Sequence, residues 1–149
     1  MARENIKVKI LRYDPEKNRK PYRRNYSLEV EDDATILDIL NEIHWNIDGT
    51  LVYRRSCRSA ICGSCAMKVN GQNVLACETP KHKFKGSKLK IEPLPGFKII
   101  KDLVVDMDGF FSRLERVKPY LILKRAIPDK EFTQSPKDFE KIRETATCI

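Results

Sequence analysis

The stretch RRSCRSAICGSCAMKVNGQNVLAC, residues 54–77, contains four of the five cysteines in this chain of 149 residues. These four are spaced C-x4-C-x2-C-x11-C, while the fifth, Cys148, stands next to the C-terminus. After the third cysteine the sequence has the pattern of a strand, a tight turn and a second strand. The turn is Asn70-Gly71, a pair that tolerates the positive φ angles of a two-residue hairpin. We therefore predict a cysteine loop followed directly by a β-hairpin, with Cys77 at the end of its second strand.

Clustered thiols can form disulfides, bind zinc or hold an iron–sulfur cluster. The chain shows no signal-peptide pattern and no apolar run long enough to span a membrane, so a reducing prokaryotic cytoplasm, where disulfides are uncommon, is the expected compartment. Zinc accepts four thiolates, but zinc ribbons usually pair two C-x2-C units, and this sequence has one. C-x4-C-x2-C with a distant fourth cysteine is the plant-type spacing of a 2Fe–2S cluster. The spacing thus favours a 2Fe–2S centre, with zinc as the alternative; the expected ligands are Cys57, Cys62, Cys65 and Cys77.

Other residues of the loop suit the same chemistry. Gly63 lacks a Cβ and would let the backbone approach the cluster and donate N–H bonds to it. Nearby arginines could ease the negative charge of the cluster, or could equally be surface residues. These arginines are Arg54, Arg55 and Arg58. Loop serines could donate to sulfur, although ordinary loop positions are their default interpretation.

The composition supports a folded basic protein. Hydrophobic residues make up 41% of the chain, enough for a core, and the net charge is +8 with a pI of about 9.3. A basic chain suits an acidic partner, a membrane surface or nucleic acid. The sequence contains no zinc-finger histidine pair, base-stacking motif or recognition helix, so we expect no nucleic-acid partner. The stretch KHKFKGSKLK, residues 81–90, fits either a solvated loop or a contact with an acidic partner.

Hydrophobic periodicity outlines the rest of the N-terminal region. Two period-2 strands flank a turn-rich patch from Asp14 to Asn25, so they form a hairpin. A helix follows, capped by Asp33 or Thr35 and stopped near Gly49. The predicted strand positions are Ile6, Val8, Ile10, then Tyr26, Leu28, Val30, and later Leu89 and Ile91. The predicted core face of the helix is Ile36, Leu40, Ile43 and Ile47. This order predicts an α+β protein, a β-grasp roll with one helix across a mixed sheet.

The C-terminal region is predicted to be helical. Residues 93–106 have the composition of a boundary segment, and apolar residues then recur at helical spacing at Phe110, Leu114, Val117 and Leu121. Ser135-Pro136 places an N-cap residue before a proline and predicts a helix through about Thr145. The predicted domains are residues 1–105 and 106–149.

Several segments together resemble a known family. RRSCRSAICGSCAMKVNG, the spacing to Cys77, KIIKDLVVDMDGFF and KPYLI resemble the iron–sulfur subunit of succinate dehydrogenase and fumarate reductase. The resemblance covers essentially the whole chain and is more specific than the cysteine spacing. It departs at Ala60, where the family frequently has glycine, so a positive φ there would be strained.

The resemblance implies a β-grasp domain with a 2Fe–2S cluster on the four loop cysteines and the start of a second, helical domain. It also implies an FAD-containing flavoprotein partner, with single electrons passing from flavin through clusters to quinone. No acid, base or nucleophile is then expected in this chain, and His44 and His82 need no catalytic role. Membrane-anchor and quinone-binding subunits would be reached through the missing domain, which puts the chain at the cytoplasmic face of the plasma membrane.

The fifth cysteine also has a place in the family pattern. TATCI resembles the entry to a C-x2-C-x2-C-x3-C-P run, so Cys148 would be the first ligand of a 4Fe–4S cluster if the chain continued, in a domain that also holds a 3Fe–4S cluster. The chain is therefore expected to be a truncated product or a partial record, with Cys148 a spare thiol in this form. Apolar residues that would pack on the missing domain are expected to be exposed and sticky: Phe110, Phe111, Leu114, Val117, Tyr120 and Leu121. The alternative functions are a free-standing 2Fe–2S ferredoxin and a zinc-stabilised binding module.

Overall fold

The computed structural model describes residues 3–17, 20–120, 122, 126, 129–131 and 133–146. It separates into two compact units, Met1–Phe111 and Ser112–Ile149. The strands are β1 Arg3–Arg12, β2 Tyr22–Glu31, β3 Ala66–Val69, β4 Gln72–Leu75, β5 Lys88–Glu92, β6 Ile99–Lys101 and β7 Val104–Val105. The helices are α1 Ile36–Glu42, a π-helical turn Ile43–Ile47, a 3-10 turn Lys81–Lys83, α2 Asp108–Arg116 and α3 Pro136–Ala146.

Five strands of the first unit form one mixed sheet in the order β2-β1-β5-β3-β4. β1 and β5 are parallel, and the other neighbours are antiparallel. Alternate side chains of these strands are buried with the apolar face of α1 in one hydrophobic core, as period-2 burial of a one-sided sheet requires. The predicted α+β architecture with a β-grasp roll is confirmed.

The β1–β2 hairpin is longer than the sequence predicted. Residues 22–25 were expected in a turn, but β2 begins at Tyr22, which pairs with Arg12. All four side chains are exposed, so this end of the strand shows no alternation of apolar and polar residues. The hydrogen-bonded register of the hairpin, and not the hydrophobic pattern, extends the strand.

The helix begins as predicted and ends differently. The Thr35 hydroxyl accepts from the Asp38 N–H at 3.1 Å, and the Asp38 carboxylate accepts from the Thr35 N–H at 3.0 Å, which completes a capping box. At the other end, Asp48 N–H donates to the Ile43 carbonyl at 2.6 Å, five residues back. This wider turn changes the rotation per residue, so Ile47 is 46% exposed and not on the core face where it was predicted.

Residues 93–106, predicted to be a boundary segment, contain the β6–β7 hairpin and lie within the first unit. Leu103 and Val105 are buried, as is Asp102 in the turn between the strands. The Asp102 N–H donates to the Tyr13 carbonyl, and the Leu103 N–H donates to the Val52 carbonyl. The compact unit thus continues to Phe111, whereas the predicted domain boundary after residue 105 stays a prediction.

A buried ionic network ties this hairpin to the sheet. Arg12 is 4% exposed and donates to Asp102 at 2.9 Å, to Asp48 at 2.6 Å, to Tyr26 at 2.6 Å and to Thr50 at 2.9 Å. Asp102 also accepts from the N–H groups of Tyr13 and Val52, both at 2.9 Å. The network fixes residues 48–52, which lead into the cysteine loop.

The second unit and the end of the first contain the two C-terminal helices. Ser135 caps α3, accepting from the Asp138 N–H at 3.2 Å, so the predicted cap and helix are confirmed. α2 ends at Arg116, so Val117, which was predicted at helical spacing, lies just after the helix. Of the apolar side chains predicted to be exposed here, those within the described residues are exposed: Phe110, Phe111, Leu114, Val117 and Tyr120. Leu121 and Cys148 lie outside the described residues. Within the described part of the chain, each helix is too short or too polar to cross a bilayer.

Candidate metal centre

The predicted hairpin places two of the cysteines next to each other. Cys65 directly precedes β3 and Cys77 follows β4 after one residue, Ala76. The Ala76 N–H donates to the Cys65 carbonyl at 3.2 Å, which continues the β3–β4 pairing beyond the strands. Cys65 is buried at 4% exposure, and Cys77 is partly buried against the core. The hairpin thus supplies a rigid, sheltered pair of thiols.

The start of α1 holds the segment around Cys77. The N–H groups of Ile36 and Leu37, in the first turn of the helix, donate to the carbonyls of Thr79 and Ala76, both at 2.9 Å. These carbonyls flank Cys77 on either side. Donors that a helix N-terminus leaves unpaired therefore fix the fourth cysteine in place.

Backbone N–H groups of the cysteine loop surround the sulfur atoms. The N–H groups of Ser59 and Cys62 each lie 3.4 Å from the Cys57 Sγ. The Ala60 N–H donates to the Cys77 Sγ at 3.4 Å, across seventeen residues of sequence. The loop therefore wraps from the first cysteine to the fourth, as the spacing predicted.

The thiols occur as two interacting pairs. The Cys62 N–H lies 3.4 Å from the Cys57 Sγ, and Cys65 and Cys77 lie side by side at the end of the β3–β4 hairpin, where the Ala76 N–H donates to the Cys65 carbonyl. Among the residues that the structure describes, no group of three or more His, Cys, Asp or Glu side chains is placed to hold a metal ion. A binuclear cluster takes two protein ligands on each iron, so two pairs of thiols are the ligand arrangement that it requires.

Three of the thiols, Cys57, Cys62 and Cys65, differ in how readily they ionise. Hydrogen bonds from the N–H groups of Cys62, Ser59 and Ile61 lower the pKa of Cys57 to about 6. The Ser64 hydroxyl and nearby N–H groups lower the pKa of Cys62, whereas burial raises the pKa of Cys65. Because the thiolate is the form that binds metal, Cys57 and Cys62 reach their ligating form at a lower pH than Cys65 does.

Three loop residues adopt left-handed backbone conformations. Gly63 has a φ of 69°, and a Cβ there would meet no atom within 4 Å. The left-handed backbone conformation, and not a lack of space among the protein atoms, therefore favours glycine at this position. Arg58 and Ala60 have φ angles of 58° and 59°, so the strain expected at Ala60 is present.

The arginines of the loop have separate surroundings. Arg55 donates to the Asn41 side chain at 2.6 Å and stacks over Tyr53 and Trp45, so it packs on the helical layer. Arg54 borders a recess of about 380 Å³ next to Cys62. Whether an arginine tunes the electrostatics of the site stays a prediction.

Comparison with known proteins decides the family. The model of the 2Fe-2S iron-sulfur cluster binding domain matches residues 7–112.

The chain belongs to the 2Fe-2S iron-sulfur cluster binding domain family.

Relatives of this 2Fe-2S domain include named iron–sulfur subunits. The chain is 39% identical to the fumarate reductase iron-sulfur subunit of Haemophilus influenzae, over 97% of this chain and 60% of that protein. It is also 39% identical to the succinate dehydrogenase iron-sulfur subunit of Coxiella burnetii, over 94% of this chain and 60% of that protein. The chain thus spans about 60% of the length of these curated relatives, and the resemblance found in the sequence is confirmed.

A solved structure extends the likeness to three dimensions. A chain of the Mycobacterium smegmatis Sdh1 complex in the apo form superposes with a TM-score of 0.81 at 27% identity. The alignment covers 99% of this chain and 61% of that chain. The fold predicted for the 2Fe-2S domain therefore agrees with a solved relative.

Sequence reasoning missed several residues that build the site. Asn41, 8% exposed, accepts from Tyr53 at 2.8 Å as well as from Arg55, and so anchors the chain just before Cys57. A polar residue on the mostly apolar face of a helix was the sequence signal that could have indicated this role. Arg12 continues the inward alternation of Ile6, Val8 and Ile10, which could have predicted its burial. His44 and His82 hydrogen-bond to the backbone carbonyls of Leu51 and Asp32, in keeping with packing roles.

Proposed function

We propose that Cys57, Cys62, Cys65 and Cys77 hold a 2Fe–2S cluster, the first two on one iron and the last two on the other. The observation that supports this assignment most directly is the placement of the thiols, with the Cys62 N–H against the Cys57 Sγ and with Cys65 and Cys77 together at the end of the hairpin. When bound, the cluster supplies a centre that accepts and releases single electrons. Cys148 lies outside the described residues, and its role as a first 4Fe–4S ligand in a longer chain stays a prediction.

The surrounding residues of this chain tune such a centre. The N–H groups of residues 59, 60 and 62 point at ligand sulfurs and stabilise their negative charge. Donors to ligand sulfur favour the more negative, reduced state and raise its potential. The hydrophobic core shields Cys65 from water, while Cys62 and the 84% exposed Ile61 leave the opposite edge open. Electrons therefore enter or leave most directly at the Ile61 edge of the loop.

At the level of the whole protein, we propose an electron-transfer subunit of a succinate dehydrogenase or fumarate reductase complex. It carries single electrons between the FAD of a flavoprotein subunit and downstream iron–sulfur clusters and quinone. The names and the extent of similarity of the curated relatives support this function. The complex places the chain peripherally at the cytoplasmic face of the membrane, through anchor subunits. The catalytic site for the dicarboxylate belongs to the flavoprotein.

Spectroscopy of anaerobically prepared protein tests the cluster assignment. We expect about two iron and two sulfide ions per chain and an S = 1/2 electron paramagnetic resonance signal after reduction. Cys57→Ser and Cys65→Ser change one ligand in each pair, and each should lose or shift the signal. Cys148→Ser removes a thiol outside the loop and should leave it unchanged. A colourless protein with zinc and no iron would refute the redox function.

Assembly tests the proposed partner separately. The cluster-loaded chain is mixed with the flavoprotein subunit of a curated relative, and complex formation is followed by size-exclusion chromatography under anaerobic conditions. Addition of succinate should then reduce the oxidised cluster, which gives no electron paramagnetic resonance signal, to its paramagnetic form. This reduction should occur only when the flavoprotein is present. A chain that holds the cluster but neither binds nor exchanges electrons with any such flavoprotein would be a free-standing ferredoxin instead.

A further inference from the structure

The outer face of the sheet presents four lysines in a two-by-two array. In the parallel pairing of β1 with β5, Lys7 lies opposite Lys88 and Lys9 lies opposite Lys90. We call these residues the lysine quartet. Their even spacing follows from the geometry of the sheet, with strands about 4.8 Å apart and alternate residues about 6.7 Å apart along a strand. Like charges at directly opposed positions destabilise a sheet, so the array needs a reason other than stability.

The protein itself neutralises only part of the quartet. Within the described ranges, Lys7, Lys9 and Lys88 form no ion pair. Lys90 shares Glu92, at 2.9 Å, with Arg23, at 3.3 Å. The β2 positions that oppose Lys7 and Lys9 are Ser27 and Asn25, which are neutral. Among the described residues, the charges of Lys7, Lys9 and Lys88 are therefore left uncompensated in the middle of the sheet face, while Lys90 is paired with Glu92.

The quartet borders a groove with a volume of about 520 Å³. This volume lies within the range of about 300–1,000 Å³ typical of small-molecule sites. Besides the lysines, the polar residues of the groove are Asn25, Ser27 and Asn70, and no carboxylate lines it. The Asn70 side chain is already engaged with the backbone of β5, accepting from the Lys90 N–H at 2.7 Å, so it shapes the wall.

We propose that this groove is a binding site for a small polyphosphate anion, such as the phosphate chain of a nucleotide. Lysine ammonium groups are compact point charges, each with three hydrogen-bond donors, and they bind phosphate groups well. The groove contains lysines and no arginine. Four separated ammonium groups suit a ligand with several phosphates more than a single phosphate. The site lies on the sheet face opposite the buried core and is additional to the cysteine loop.

Calorimetric titration of the cluster-loaded chain with inorganic triphosphate tests the proposal. We expect one-to-one binding that weakens from low to physiological salt, because exposed charges are screened. The double variant Lys9→Gln/Lys88→Gln should lower the affinity by about tenfold or more, since each lost ammonium removes a charge-assisted contact. Lys83→Gln/Lys85→Gln makes the same change in net charge at exposed lysines outside the groove and should alter the affinity less than about twofold.

Three results would overturn the proposal. Equal weakening in both double variants would indicate general attraction to a basic protein. Heat that accompanies loss of the visible absorbance in every variant would indicate chelation of iron by triphosphate. Binding of a single-stranded oligonucleotide at the quartet, with no binding of triphosphate, would assign the face to a nucleic-acid backbone. Thermal melting of each variant checks that the sheet remains folded, which the exposed positions of the substituted lysines favour.

Discussion

Arg12→Met offers the most demanding test of what holds the approach to the cysteine loop in place. Methionine keeps the unbranched apolar stem of the side chain but removes the cation that joins Asp48, Asp102, Tyr26 and Thr50. Asp48 keeps a second partner, Arg24, at 2.8 Å, whereas Asp102, 1% exposed, loses its side-chain cation. Removing one partner of a buried ion pair costs about 3–5 kcal/mol, because a buried charge is left uncompensated.

That loss is a large part of the stability of an ordinary domain, about 5–15 kcal/mol. Urea unfolding followed by far-UV circular dichroism under anaerobic conditions should show a large drop in the midpoint. Arg23→Met is the matched control, because the Arg23–Glu92 pair at 3.3 Å is exposed and should contribute less than about 1 kcal/mol. Arg12→Lys should fall between the two, since lysine keeps the charge but not the fork.

The double variant Arg12→Met/Asp102→Asn separates the lost contact from the uncompensated charge. Neutralising residue 102 removes the stranded carboxylate, so the double variant should be more stable than the sum of the two single losses predicts. The reasoning is refuted if Arg12→Met costs no more than Arg23→Met, or if the two substitutions in the double variant are simply additive.

The remaining predictions concern the loop, the network at extreme pH and the helix cap. Ala60→Gly should raise the free energy of unfolding by up to about 1 kcal/mol by relieving a φ of 59°, and Gly63→Ala should lower it by about 1 kcal/mol or more. A lower urea midpoint for Ala60→Gly, or a higher one for Gly63→Ala, would contradict this. Burial and the hydrogen bond to Asp48 raise the pKa of Tyr26 to about 12. The folded protein thus keeps this proton to a higher pH than the unfolded chain, and stability should fall as the pH rises from about 10 to 12. Tyr26→Phe should make this fall shallower in pH-dependent melting, and Tyr53 and Lys101, whose pKa values are also raised, should keep the rest of it. Thr35→Ala should cost about 1 kcal/mol in the same urea assay, and no loss would mean that the capping box is dispensable.

Local signals in the sequence determined much of this protein. The Asn70-Gly71 turn, with φ angles of 46° and 89°, the cap at Thr35 and the cap at Ser135 each depend on residues within a few positions of one another. Alternation in β1, in the second half of β2 and in β5 predicted the sheet because one face is buried and the other is solvated. Such features follow from backbone conformation and local hydrogen bonding, which neighbouring residues specify.

Only the tertiary structure decided the features that join distant parts of the chain. The pairing of Arg12 with Asp102 spans ninety residues of sequence. It holds the β6–β7 hairpin, which was expected to be a boundary segment, within the first unit. The exposure of Ile47 follows from a π-helical turn that the pattern of apolar residues did not indicate. For the cysteines, the spacing indicated which four belong together, whereas the fold decided which pairs interact and which thiol is buried. That division is physical, because burial and pairing depend on where the hairpin and α1 pack, and packing sums contacts that no short stretch contains.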